Sequence, residues 1–427
     1  MQPKKYEVKQ GVTLHTIKTN KFKTDLTAVF ITMPLTRKNV TVDCLLPAIL
    51  RRGSQNLKTQ QEINKTLENM YGATFDCGIE KTGDNHVIKF YIESINSRFL
   101  PHHEENIVSA IYTLLEIIFN PLLENGEFKT EYVESEKKNI EQLIHSKIDN
   151  KEQYALDRTV EEMYKDKPYG LYKYGYIEDL ANIHSKIAYE RYKEIINSAK
   201  IDIYVSGDIE QEKIKKIIVN NPNIQNLKNR EPDFRVNNEQ TEQKQITQPF
   251  NIIDTLEVNQ GKLILGLDIL ENAKDSRFIA SLYNVILGES ATSKLFQNVR
   301  EKASLAYSAR SIYVRQKNNI FIKCGIEIAN YEQALQIIKE QLQAMKNGDF
   351  TEEDIANAKK YMINGIQSIE ETQDTEITYY LGQELSENHV SPQEYKEKIN
   401  EVNKQQIVDI AQKIYINTIY FLKDKEE

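Results

Sequence analysis

A chain of 427 residues, 40% hydrophobic and 28% charged, holds more apolar material than one ordinary core can bury, so two or three domains follow from length alone. Its net charge of -8 argues against a surface built to coat nucleic acid, because phosphate binding needs a basic excess, and leaves room only for a local basic patch. No run approaches the ~18 consecutive apolar residues of a membrane span, and Met1 to Val8 has no apolar core of signal-peptide length, so a cytoplasmic protein with no membrane partner is expected.

In chain order, His86 to Glu93 predicts a strand. Ile107, Ile111, Leu114 and Ile118 then share one face of a helix. That helix stops before the breaker Asn125-Gly126-Glu127-Phe128, and a second helix follows. Ile201 to Ser206 predicts a short strand closing the first half. Residues 222–249, rich in Asn, Gln, Glu, Lys and Pro, read as a polar linker.

The second half repeats the plan. Asn319 to Ile328 alternates Ile320, Ile322, Cys324, Ile326 and Ile328 against Phe321, Lys323, Gly325 and Glu327, a strand with Cys324 on its apolar face. Tyr331, Leu335, Ile338, Leu342 and Met345 mark a helix. Asn347-Gly348-Asp349-Phe350 then returns the first breaker at an offset of 222 residues. At that offset Glu131 meets Glu353, Lys137-Lys138 meets Lys359-Lys360, Ile144 meets Ile366 and Ser146 meets Ser368. Thr351 with Asp354 predicts a capping pair, and Thr418 to Leu422 a closing strand. The expected organisation is two tandem α+β modules, 1–221 and 250–427, each one sheet with helices on one side, joined by the linker 222–249.

Among the functional groups, Cys44, Cys77 and Cys324 are few, odd in number and widely spaced, which suits reduced thiols. None of the seven histidines forms HxxEH or HxxxH. His102-His103-Glu104-Glu105 is the densest cluster, but adjacent helical side chains diverge by about 100°, so a solvated helix start is expected. His145 reads as structural, and Cys44, lacking a nearby His, as a buried thiol rather than a nucleophile. There is no GxGxxG, Walker or GxSxG pattern.

One stretch is more specific: Leu287-Gly288-Glu289-Ser290, Ser293-Lys294-Leu295-Phe296-Gln297-Asn298-Val299-Arg300-Glu301-Lys302 and Leu305-Ala306-Tyr307-Ser308. It resembles the second-module signature of the pitrilysin/insulinase peptidases, the inverted-zinc-motif family. The resemblance implies that Arg300 and Tyr307 hold the substrate backbone near a zinc site. A guanidinium and a phenol can both donate to a peptide carbonyl or a developing oxyanion. Without the resemblance, Arg300 would read as a helix-surface charge and Tyr307 as a strand core residue.

The first half is similar to the family's H-x-x-E-H stretch, in Cys44-Leu45-Leu46-Pro47-Ala48-Ile49-Leu50-Arg51-Arg52-Gly53-Ser54 and on through Glu62-Ile63, Leu67 and Tyr71-Gly72-Ala73. The two His positions hold Cys44 and Ala48, and the Glu position holds Pro47. The distal zinc Glu falls at Leu143, with Glu136 as the outer acidic residue and Glu141 two residues off. No metal site is expected in this chain, since Ala48 cannot coordinate and Pro47 cannot act as a base.

The resemblance further implies mostly antiparallel sheets, and four modules closing a chamber. In the family's bacterial heterodimers one subunit carries the zinc motif and the other the Arg and Tyr. This chain resembles the second, zinc-less kind, which includes subunits associated with aminopentanol modification of elongation factor P and peptide-maturation proteins. It is thus expected to be no enzyme on its own, to bind no cofactor, and to partner a zinc-bearing paralogue and a peptide substrate. The alternatives are a scaffold without a part in chemistry, as in core-protein relatives, and an enzyme using an unrelated site around His102 or Cys44.

Overall fold

The computed structural model describes residues 2–101, 105–236, 246, 248–271 and 276–425. The chain forms two compact units, the first holding 1–145, 171–236 and 373–385, the second 146–170, 237–372 and 386–427.

The first unit is built on strands β1 (Lys4–Lys9), β2 (Val12–Lys18), β3 (Thr24–Pro34), β4 (Thr74–Thr82) and β5 (Asn85–Ile95), a small hairpin of β6 (Leu123–Glu124) and β7 (Glu127–Phe128), and β8 (Lys200–Gly207). The main sheet runs β1-β2-β8-β3-β5-β4 and is antiparallel except for β2 with β8. One face carries the larger core: Leu14, Val29, Ile31, Phe90 and Ile92 of the strands meet Leu45, Leu46 and Ile49 of helix Val40–Leu50, and Ile111, Leu114 and Ile118 of helix Asn106–Phe119. On the other face Ile17, Leu26, Ala28, Phe30, Val87 and Tyr204 meet Ile377, Tyr380, Leu381 and Leu385 of helix Gln373–Ser386. Alternate side chains of β3 feed the two faces, which is why every residue from Asp25 to Met33 is buried.

The second unit has β9 (Phe250–Thr255), β10 (Gly261–Ile269), β11 (Ala306–Val314), β12 (Asn319–Ile326) and β13 (Ile414–Lys423) in the order β11-β12-β10-β13-β9, antiparallel except for β13 with β9. Here Ile264, Phe321, Tyr420 and Leu422 pack against Ala155 and Val160 of helix Lys151–Met163 and the following Tyr164 and Tyr169. The alternation expected on β12 is present, and Cys324 is buried, but all eight of its residues are buried because this helix covers the second face.

The helices Lys151–Met163 and Gln373–Ser386 begin 222 residues apart, so the offset seen in the turns extends to them. Each belongs to the unit whose sheet comes from the other half of the chain. The compact units therefore cut across the modules 1–221 and 250–427. The physical reason is that the apolar residues of each helix are buried on the other half's sheet.

The linker is also shorter than its composition suggests. Pro222–Gln225 forms a helical turn capped by Asn221, and Ile224 and Leu227 are buried in the first core. Asn85 then binds the backbone of Arg235 on both sides, donating to its carbonyl at 2.6 Å and accepting from its N–H at 2.7 Å. Phe234 packs against the core on the other face of the sheet, so three apolar side chains and one hydrogen-bonded residue hold this part of the stretch.

The repeated tetrapeptide does two different local jobs. Asn125 and Gly126 both have positive φ and make the tight hairpin between β6 and β7. Gly348, also at positive φ, ends helix Tyr331–Asn347 as a left-handed cap. Phe128 and Phe350 are buried in both cases. Thr351 and Asp354 form the expected capping box of helix Glu352–Ser368.

Candidate functional site

In the first unit, helix Val40–Leu50 carries the residues at the zinc-motif positions. Cys44 is buried and its thiol donates to the carbonyls of Thr41 and Tyr174, each at 3.1 Å. Burial, reinforced by the neighbouring Asp43 carboxylate, pushes this thiol well above the usual cysteine range. Pro47 is buried inside the helix, where its carbonyl accepts from the Cys77 thiol at 3.3 Å. Ala48 is half-buried. A protonated thiol, a proline ring and a methyl group do not fit a zinc ion.

The acidic positions are committed elsewhere. Glu136 is buried on helix Thr130–His145, ion-paired with Arg52 and accepting from Asn139 at 2.9 Å. Leu143 and Glu141 point to solvent. Asp43, which drew no attention in the sequence, accepts from Arg191 at 2.6 and 3.1 Å. The buried His86 lies 3.7 Å from Asp43 through Nδ1 and 2.9 Å from the Lys173 carbonyl through Nε2. No short spacing links these residues, so only the folded chain reveals them.

Burial also raises Cys77 and Cys324 to about 12. All three thiols are therefore protonated at neutral pH. At about pH 8, below all of these values, a thiol reagent such as Ellman's is expected to label less than one cysteine per folded chain within minutes, and all three after unfolding. Fast labelling of Cys44 in the folded protein would contradict the packing described.

In the second unit, helix Ser276–Asn284 runs into a π-helical turn, Val285–Glu289, and a second π-helical stretch spans Phe296–Lys302. Within the signature, Leu287, Gly288, Ser293, Leu295, Val299, Leu305 and Ala306 are buried. A Cβ on Gly288 would lie 2.6–2.7 Å from Ser311 Oγ, Leu295 Cδ1 and Ser311 N, so only glycine lets this turn lie against β11. Arg300 and Tyr307 are turned outward instead, with 44% of the Arg300 side chain and 69% of Tyr307 exposed.

The Arg300 guanidinium lies 4.7 Å over the Phe296 ring, and 3.5 Å from the Glu301 carboxylate. Tyr307 occupies an irregularity in β11 where the register with β12 shifts between Ala306 and Ser308. Among the described residues its phenol oxygen has no hydrogen-bond partner. Packing propensity alone would have put Tyr307 in the core; the bulge turns it out.

One group of three possible metal-ligand side chains occurs among the described residues: His15, Asp202 and Glu384, in the first unit and away from the motif positions. His15 Nε2 is 2.9 Å from Asp202 Oδ1. Lys200 pairs with Asp202, and Lys5 Nζ lies 2.6 Å from Glu384. Burial favours a neutral Asp202, but Lys200 and His15 outweigh it and hold the carboxyl at about 2. Two lysines already balance the two carboxylates, so the group is complete as a charge network. His102 and His103 lie outside the described residues, and His145 is exposed at the end of its helix. Among the described residues no helix is long and apolar enough to cross a membrane.

The family described as the peptidase M16 inactive domain matches residues 186–362. The chain is 34% identical over 418 residues to "Probable inactive metalloprotease YmfF" of Bacillus subtilis (strain 168), spanning 97% of this chain and 96% of that one. It is 27% identical over 162 residues to "Uncharacterized zinc protease YmxG" of the same organism, across 37% of this chain and 40% of that one. In fold it is similar to the crystal structure of a conserved protein from Enterococcus faecalis V583, with a TM-score of 0.88 and 24% identity over the whole of both chains. A peptidase M16 inactive domain from Pseudomonas fluorescens gives a TM-score of 0.80 at 16% identity, covering 100% of this chain and 99% of that one.

Proposed function

The chain belongs to the M16 peptidase family as an inactive homologue, and from that premise we propose that it is the non-catalytic, substrate-binding subunit of a heterodimeric zinc endopeptidase. Arg300 and Tyr307 hold the peptide backbone near a zinc site that a paralogous partner supplies. The observation that carries this is the division of labour inside the signature. Its small and apolar residues are buried, while the Arg300 guanidinium and the Tyr307 phenol, which has no hydrogen-bond partner among the described residues, are presented outward. A scaffold needs the first set and has no use for the second. Both outward groups are donors suited to a carbonyl or an oxyanion.

The motif positions in the first half supply no competing chemistry, since Cys44 is protonated and Pro47 and Ala48 have no donor atoms in their side chains. Metal analysis of the chain purified alone is expected to find far less than one zinc per chain. Purification from its native cell is expected to bring down a second chain of similar length that carries H-x-x-E-H. Stoichiometric zinc in the isolated chain, or a solitary chain at physiological concentration, would refute the assignment.

A further inference from the structure

Three cations share the face of the second sheet on which helix Lys151–Met163 packs. Arg310 of β11 stands directly opposite Lys323 of β12, and Lys262 of β10 stands opposite Gly325, two residues along β12 on the same face. Like charges directly opposite each other in a sheet repel. Here both reach one oxygen of Glu152 on the helix, Arg310 at 2.6 Å and Lys323 at 2.7 Å. Among the described residues Lys262 has only the neutral Gln260 amide oxygen as its hydrogen-bond partner, and the carboxylate that acts on it at longer range is the same Glu152. The stripe therefore sets three cations against one carboxylate, and its outermost member, Arg310, is more than half exposed.

This stripe ends at an open sheet edge. β11 is the terminal strand of its sheet, and among the described residues no backbone hydrogen bond reaches Ala306–Tyr313 from any element other than β12. An exposed edge of this kind can accept an added strand, with backbone bonds supplying affinity and side chains supplying selectivity. Tyr307 lies on the same strand, three residues before Arg310. An open cavity of about 750 Å³, lined in part by Glu152, Gln260 and Lys262, borders the stripe. Asp149 and Glu257 also line it, so the preference for an anion rests on the sheet's three cations and not on the cavity's total charge.

We propose that an extended peptide adds to the free edge of β11 and that Arg310, backed by Lys323 and Lys262, selects an acidic side chain on it. The substrate class is thus an acidic peptide. This rests on the assignment of Tyr307 to substrate contact, and it adds a specificity residue, Arg310.

The test is fluorescence anisotropy with the full chain and three labelled, extended Thr/Val peptides that differ only in a central Glu, Gln or Lys. The Glu peptide is expected to bind roughly tenfold tighter than the Gln peptide and the Lys peptide more weakly still, with the gap closing as salt rises from about 50 to about 500 mM. Arg310→Glu should reverse the order. Lys262→Gln, which leaves the Glu152 pairs in place, should narrow it, and circular dichroism checks that both variants fold. Equal affinities, a preference for Lys, no binding by any of the three, or an order unchanged in both folded variants would overturn the inference. None of these outcomes decides the role of Arg300 and Tyr307, which is read from turnover of the two-subunit complex.

Discussion

Arg300→Ala, placed in the two-subunit complex, is expected to lower peptide turnover by about 100-fold, the usual effect of deleting one preorganised donor to a developing oxyanion. The complex should still assemble, because the Arg300 side chain is nearly half exposed and its contacts are local, to Phe296 and Glu301. Tyr307→Phe removes a single exposed oxygen that has no hydrogen-bond partner among the described residues, so a loss of turnover there reports on substrate contact and not on folding. Undiminished turnover in both variants, with the complex intact, would remove these residues from the reaction.

Arg191→Ala is expected to lower the unfolding free energy by about 3–5 kcal/mol, the range for breaking a buried ion pair from one side. Asp43 is fully buried and takes both of its short bonds from Arg191, while His86 stands 3.7 Å away and offers no substitute. Arg191 is itself almost entirely buried; burial works against its charge, and the carboxylates of Asp43 and, on the surface side, Glu194 together more than restore it. Urea unfolding of the two proteins measures the difference. A loss below about 1 kcal/mol, the range of an exposed pair, would mean that water reaches Asp43 in the native state.

The predicted elements and the repeat were legible because they depend on local pattern. Strand β12, helix Tyr331–Asn347 and the Thr351 capping box follow from alternation, helical spacing and a single turn of chain. The exchange of helices was not legible. Nothing local in Lys151–Met163 says that Ala155 and Val160 will be buried on strands more than 100 residues later. The packing of part of the polar stretch was illegible for a related reason: composition averages over residues, and a few apolar side chains, Ile224, Leu227 and Phe234, are packed against the cores.

At the candidate site, Arg300 and Tyr307 were found through the resemblance, since propensity would have put Tyr307 in the core. The buried triad of Asp43, His86 and Arg191 and the pairing of Glu136 with Arg52 were out of reach, because each joins residues brought together only by the sheet and its helices.

The most direct test of the central claim is peptide cleavage by this chain alone, by a zinc-bearing paralogue alone, and by an equimolar mixture. Cleavage in the mixture only, abolished by a chelator, is the predicted result. Cleavage by this chain alone, or a mixture no more active than the paralogue by itself, would contradict it.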